Sequence, residues 1–540
     1  MTFDIINSFD LSDLFYYMKI RKIVYVFLCF SLFLIGNFVY AQELLPNDPD
    51  YFHQWYLQNL KMPQVWAEAT GNKNVTVAVI DSGVDVAHPD LHDNIWVNQK
   101  EILGDNIDND NNGYIDDING WDFIDNSNDP SPKFEINCLA NKTCNEDGVL
   151  HGTFIAGIIG AVGNNGLGIT GVNWQVKIMP LRVLNQNGNG DTYDVERAID
   201  YAINNGADII NLSFVGETYD LSLQQALEKA FQKGLLIFAA AGNEGLGGKT
   251  IDLDFYKMYP ICHRGANNEK IIIGVGASDE DNKLADFSNF GSSCVDIIAP
   301  GQDFYSTLVF NPLSNNFNKY YGGSYSGTSL AVPLVSGLAA LVKSVKPALT
   351  NREIMDLILN NADNIDLQNP AYVGKLGRGL LDPVKVFKAL KLGTFKGPLI
   401  KGSSKAVYYF GQDSRRYVFP DTNTFLSWYD NYNDVKQISD SELAKISLGG
   451  NVTFRPGTLI KIQTDPKVYA VTKGGILRWV SNEQIVQALY GNNWQNLIYD
   501  IPDSFFTNYK LGEPILSASD YNPFLEKNSI LSIDIDKGLM

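Results

Sequence analysis

A serine hydroxyl becomes a nucleophile when a base takes its proton, a carboxylate orients that base, and donors await the oxyanion. Four short segments of the chain offer those parts. Ser329 stands in GGSYSGTSLAVPLVSGLAALVKSVKP (322–347), where a glycine- and serine-rich approach gives way to an apolar run from Leu330 to Val345. A helix that is apolar on every face must be buried. Ser329 is then expected at the mouth of a helix through the middle of a domain, where unpaired N–H groups favour developing negative charge. Pro333 has no N–H for the carbonyl of Ser329, one turn back, so the first turn should be distorted beside the serine. The same pattern also fits Thr328 and Ser329 as caps of a core helix. His151 alone among the five histidines opens a helical pattern as H-G-T. Asp81 ends the apolar run 75–80, and Asn243 follows another in AAAGNEG. Taken singly, Asp81-Ser82-Gly83 reads as a turn after a strand, His151 as a helix cap and Asn243 as a turn former.

The elements around these residues alternate. Apolar runs at 75–80, 177–184, 207–213, 235–241 and 270–277 read as strands. Helical patterns cover 151–161, 194–204, 222–233 and 352–361, the last preceded by a Thr350/Glu353 capping box. Such alternation predicts an α/β domain, a parallel sheet with helices on both faces. Function in such sheets gathers at the carboxyl ends of strands, where Asp81 and Asn243 both fall.

In the order Asp, His, Asn, Ser, the segments VAVIDSGVDVAHPDL, HGTFIAGIIG, NLSFVG, AAAGNEG, ASDEDNKLADFSNFGSSCVDIIAPG and SGTSLAVPLVSG resemble the subtilisin-like serine peptidases (subtilases) over roughly 48–390. The resemblance implies Ser329 as nucleophile, His151 as general base and then acid, Asp81 as the imidazole's partner and Asn243 as oxyanion donor. It also implies that 212–216, with Ser213, Phe214 and Gly216, is an edge that pairs with an extended peptide substrate. The implied chemistry is peptide-bond hydrolysis through an acyl-enzyme, without a catalytic cofactor. Leu330, Leu334 and Ser336 replace the family's usual Met, His and Ala, and read as packing changes. Val215 replaces a glycine on the wall of the primary specificity pocket and should narrow it. One alternative is an inactive subtilase-like domain used for binding, weakened because all four catalytic positions are filled; the other is a surface-binding or adhesin protein whose main function lies in its C-terminal repeats, with the peptidase as accessory.

Asp108-Asn109-Asp110-Asn111-Asn112-Gly113-Tyr114-Ile115-Asp116-Asp117 places oxygen donors at alternate positions before a glycine, as in the first half of an EF-hand loop. Position twelve is Asn119 rather than a bidentate Glu, so Asp116 or Asp117 must complete the site. The expected calcium ligands are Asp108, Asp110, Asn112, Tyr114 and Asp117; the alternative is a solvated acidic loop.

The formal net charge of −19 over 540 residues argues against a nucleic-acid partner. Residues 18–41 read as a secretory signal: Lys19, Arg21 and Lys22, then an apolar run, then Val39-Tyr40-Ala41, with Met18 a better start than Met1. The alternative is a retained membrane anchor; both export the rest, as a secreted or cell-surface protein. Only 42–74 precede the first core strand, about half of what a pro-domain of ordinary size needs, so none is expected to be removed. Four cysteines remain after the signal, and proximity suggests Cys138–Cys144 and Cys262–Cys294, with free thiols the alternative for the second pair. The peptidase domain is expected over 42–392. Beyond it (393–540), Leu399-Ile400-Lys401, Val407-Tyr408 and Arg416-Tyr417-Val418 recur as Leu459-Ile460-Lys461, Val468-Tyr469 and Arg478-Trp479-Val480. That is a strand-rich, aromatic duplication of about sixty residues, a candidate for contact with a cell surface or wall.

Overall fold

Strand β1 (Gly71–Asp81) is buried at every residue from Val75 onward, as a strand covered on both faces must be. In the computed structural model, which describes residues 43–134, 146–244, 250–312, 317–392, 399–411, 413–429, 431–432, 435–530 and 532–539, it is an interior strand, third in order, of a seven-stranded parallel sheet. The signal pattern, Cys138, Cys144 and the expected domain boundary near 393–398 lie outside the described residues. The other strands are β2 (Trp121–Asp122), β3 (Gln175–Arg182), β4 (Ile209–Leu212), β5 (Leu236–Ala240), β6 (Ile273–Ser278) and β7 (Ile297–Pro300). They lie in the order β2-β3-β1-β4-β5-β6-β7, every pairing parallel. The strand order therefore reverses beside β1, and its carboxyl end, Asp81, faces the crevice that such a switch leaves open.

Helix α1 (Glu146–Gly160) begins five residues before His151, so the H-G-T motif lies within the helix and does not open it. Helices α2 (Thr192–Asn204) and α3 (Leu221–Gln232) start where the side chains of Asp191 and Asp220 accept from the first free amides. The hairpin β8 (Phe304–Thr307) and β9 (Tyr321–Tyr325) leads into α4 (Thr328–Val345). Every residue of α4 from Leu330 to Val342 is buried, and it packs across β1 and β4 to β7. It is long and apolar enough to cross a membrane, but here it is the core of the domain. Helix α5 (Asn351–Asn360) carries the expected capping box, with Thr350 and Glu353 bonded reciprocally. Helix α6 (Pro383–Leu392) closes the domain, and one apolar core runs from Tyr56 to Leu390.

The duplication is one of strand order. The first copy is β10 (Leu399–Lys401), β11 (Val407–Phe410), β12 (Arg416–Val418), β13 (Val435–Gln437) and β14 (Leu448–Asn451). The second is β15 (Leu459–Ile462), β16 (Asp465–Thr472), β17 (Ile476–Trp479), β18 (Ile498–Ile501) and β19 (Lys510–Leu511). They form sheets in the orders β13-β10-β11-β12-β14 and β18-β15-β16-β17-β19, each an antiparallel meander flanked by a parallel strand on either side.

Candidate active site

Asp81 is fully buried at the end of β1, and its Oδ1 accepts the backbone N–H of Ser82 at 2.7 Å. The same oxygen lies 2.8 Å from Nδ1 of His151. An ionised carboxylate only accepts, so Nδ1 carries the proton and Nε2 of the neutral ring keeps its lone pair. Oδ2 of Asp81 is buried with no hydrogen-bond partner among the described residues. The His151 side chain is 25% exposed and so reaches the surface. Ser82 Oγ accepts the N–H of Gly152 at 3.1 Å, and a Cβ on Gly152 would stand 2.2 Å from the carbonyl oxygen of Gly83. Glycine follows the histidine because the turn after β1 touches the helix backbone there.

Ser329 sits in the first turn of α4, preceded by Gly327, which is extended. A Cβ on Gly327 would lie 3.0 Å from Ser329 Oγ and 3.1 Å from Asn243 Nδ2. The hydroxyl and the amide thus border one small space that the missing side chain leaves open. Asn243 is turned by Thr328: its Oδ1 accepts the Thr328 N–H at 2.7 Å and the Thr328 hydroxyl at 2.9 Å. Thr328 Oγ1 in turn accepts the Gly242 N–H at 3.0 Å. With its oxygen so occupied, Asn243 presents Nδ2 to the space.

The expected edge at 212–216 is shorter than its motif. Leu212 is interior, paired with Ile80 on one side and Ala239 on the other. Gly216, one of the residues expected to pair with a peptide, has its N–H and C=O bonded to Tyr259 at 2.7 and 2.8 Å. Between them, Phe214 and Val215 are half-buried against the core, and Ser213 donates its hydroxyl to the Ser329 carbonyl at 2.8 Å. The Tyr259 segment thus lies alongside Gly216 as a neighbouring strand would.

A model of the subtilase family matches residues 72–379. The chain belongs to the subtilase family. A thermophilic serine proteinase of Bacillus sp. (strain AK1) is 34% identical over 330 residues, 61% of this chain and 67% of that protein. Thermitase of Thermoactinomyces vulgaris is 35% identical over 324 residues, 59% of this chain and 92% of thermitase. A solved protease structure from Pseudoalteromonas arctica, 28% identical, superposes with a TM-score of 0.50, covering 64% of this chain and 99% of that one. This subtilase is accordingly a serine peptidase.

The acidic loop of the subtilase differs from its expected ligand set. Carboxylate oxygens of Glu101, Asp108 and Asp110 lie within 4.8 Å of one another, and Lys100 is 3.7 Å from Asp110. Asp117 spends its oxygens on other donors: it accepts from the Tyr201 hydroxyl at 2.5 Å, from Asn98 at 2.9 Å and from Asn112 at 3.0 Å, and the same Asn98 amide reaches Asp110 at 3.3 Å. The ring of Tyr114 packs edge-on against Trp121, Phe123 and Tyr201, so only its carbonyl remains as a ligand atom. Asn112 spends its side-chain oxygen on the N–H of Tyr114 at 2.8 Å. Glu101, which the motif reading did not include, thus stands with Asp108 and Asp110 in the cluster. Three clustered carboxylates are a hard, oxygen-only donor set that suits calcium. A second gathering escaped the sequence altogether. Asp48 accepts the amides of Asn164 and Asn165, while Asp90 accepts the Asn165 side chain and the Ile169 amide. Burial raises both carboxyls, Asp90 to about 7. The cysteine reading holds where it can be seen, in a Cys262–Cys294 disulfide.

Proposed function

We propose that this subtilase is a secreted serine endopeptidase acting through an acyl-enzyme on Ser329. The observation that carries the reading is the Asp81–His151 hydrogen bond, together with the space shared by Ser329 Oγ and Asn243 Nδ2. An extended peptide pairs with 213–215, which sets its scissile carbonyl carbon beside Ser329. Nε2 of His151 takes the hydroxyl proton as Oγ attacks, and Asp81 stabilises the imidazolium. The carbonyl oxygen becomes an oxyanion in the space at Gly327, meeting the Asn243 amide and the Ser329 N–H, which has no acceptor among the described residues. His151 returns the proton to the leaving amine, the C–N bond breaks, and water, activated by the same base, hydrolyses the ester.

Calcium held by Glu101, Asp108 and Asp110 neutralises carboxylates that otherwise repel, which is a structural role. The signal at 18–41 exports the chain, and the duplicated sheets contact a repeating surface such as a cell wall. A fluorophosphonate probe should label the wild type and not Ser329→Ala, whose melting temperature stays unchanged. A Ser329→Ala enzyme with a tenth of wild-type peptidase activity would overturn the assignment, since losing a triad member costs many orders of magnitude.

A further inference from the structure

Pro333 stands where the donor for the Ser329 carbonyl should be. In a regular helix that carbonyl accepts from the N–H four residues on, and proline has none. The hydroxyl of Ser213 supplies a donor at 2.8 Å. Ser213 is itself held, because its oxygen accepts from Nδ2 of Asn211 at 2.9 Å. The Oδ1 of Asn211 accepts from the hydroxyl of Ser336 at 2.9 Å, much nearer than that hydroxyl's other acceptor, the Pro333 carbonyl at 3.4 Å. Asn211 and Ser336 are fully buried and Ser213 nearly so. Along the shorter bonds the donors run one way: Ser336 donates to Asn211, Asn211 to Ser213, and Ser213 to Ser329.

We infer that the Ser336–Asn211–Ser213 chain is a positioning device that sets the peptide plane behind the Ser329 nucleophile. A turn broken by proline can rotate that plane, carrying Cα and Oγ away from the base. A buried, one-directional hydrogen-bond chain removes the freedom, since in low dielectric an unmade bond is expensive. Ser336, which replaces the alanine of the family pattern, is therefore a donor rather than a packing change. Without it the Asn211 oxygen loses its 2.9 Å partner and the amide is free to turn over. Ser213 also begins the segment 213–215 that faces the peptide, so one residue ties the substrate's strand to the nucleophile. The mechanism rests on the peptidase reading, but the residues are distinct from the triad and the oxyanion donors.

The test is steady-state kinetics on a peptide ester and a peptide amide, beside the rate of fluorophosphonate labelling, for the full chain and its variants. Ser213→Ala should lower kcat and the labelling rate about tenfold with KM little changed, the size expected for one buried hydrogen bond acting on the transition state. Ser213→Thr, which keeps the hydroxyl, should restore most of the rate, and Ser336→Ala should cost about threefold. All three should melt within a few degrees of wild type. An unchanged labelling rate in Ser213→Ala overturns the inference, as does a loss that appears only in KM or that Ser213→Thr fails to repair. If Ser213→Ala melts far lower, the labelling rate of its folded fraction, measured at low temperature, decides by the same criterion. Failure of the peptidase reading looks different: the wild type itself would not be labelled.

Discussion

Asn243 has two jobs on its two ends. Its oxygen is pinned by Thr328 and its nitrogen borders the space at Ser329, so the amide is pre-oriented before any substrate arrives. Preorganised donors act on the transition state and barely on the ground state. Asn243→Ala is expected to lower kcat by about a hundred- to a thousandfold and leave KM within a small factor; a drop confined to KM would remove Asn243 from the oxyanion role. His263 is a residue with the opposite fate. It is buried against Tyr219 and Tyr259, neither ring nitrogen has a partner among the described residues, and burial lowers its pKa to about 4 despite the attraction of Asp220. An unfolded chain protonates this ring near 6.5 and the folded one only near 4, so between those values the unfolded state binds more protons. Stability then rises with pH across the window and is lost on acidification, by up to about 3 kcal/mol. His263→Phe should abolish that share: denaturant unfolding of the two proteins at pH 7 and pH 4 should diverge by that amount, and parallel curves would show that the ring does not stay neutral.

At the scale of elements, what could be read beforehand was whatever repeats locally. The apolar runs at β1, β3, β4, β5 and β6 were legible because strands buried on both faces carry nothing else. The helix of His151 starts five residues before its motif, and Gly148 in the first turn breaks the helical pattern that would mark that start. Contacts between distant segments were illegible. Ser336 and Asn211 are 125 residues apart, and Glu101 meets Asp108 and Asp110 because its loop folds back, which no spacing rule anticipates. The Cys262–Cys294 bridge is another such contact, suggested by proximity in sequence but open until the sulfurs were seen together. It ties down the segment whose Tyr259 flanks Gly216, and so one side of the edge proposed for the peptide. Closing a loop of 32 residues is worth about 3 to 4 kcal/mol in the chain-entropy account. Cys262→Ser should lower the melting temperature and raise KM more than it lowers kcat. Equal kinetics in reduced and oxidised protein would show that the edge stands without the bridge.

For the whole molecule the question is how a chain of net charge −19 keeps carboxylates together inside it. Glu101 is buried and accepts the amides of Asn109, Asp110 and Asp116, which draws the acidic loop tight around it. Asp108 accepts two further amides, from Asn112 and Gly113. Those bonds orient three carboxylates toward one another but leave their mutual repulsion to Lys100, a mostly exposed lysine. A surface lysine offsets little of that repulsion. A divalent cation offsets far more, and one that binds only the folded chain stabilises it in proportion to the logarithm of its concentration. The loop lies between Asp81 and His151 in the chain, so its order bears on the first hydrogen bond of the site. Chelation should therefore lower the melting temperature and hasten self-digestion, and added calcium should restore both. Asp110→Ala and Glu101→Gln should shrink the calcium response, whereas Asp117→Asn should leave that response in place while lowering stability through Tyr201, because Asp117 faces the aromatic cluster. A calcium response abolished by Asp117→Asn and kept by Glu101→Gln would return the ligand set to the one the motif suggested; identical melting with calcium and chelator in metal-free protein would end the calcium claim.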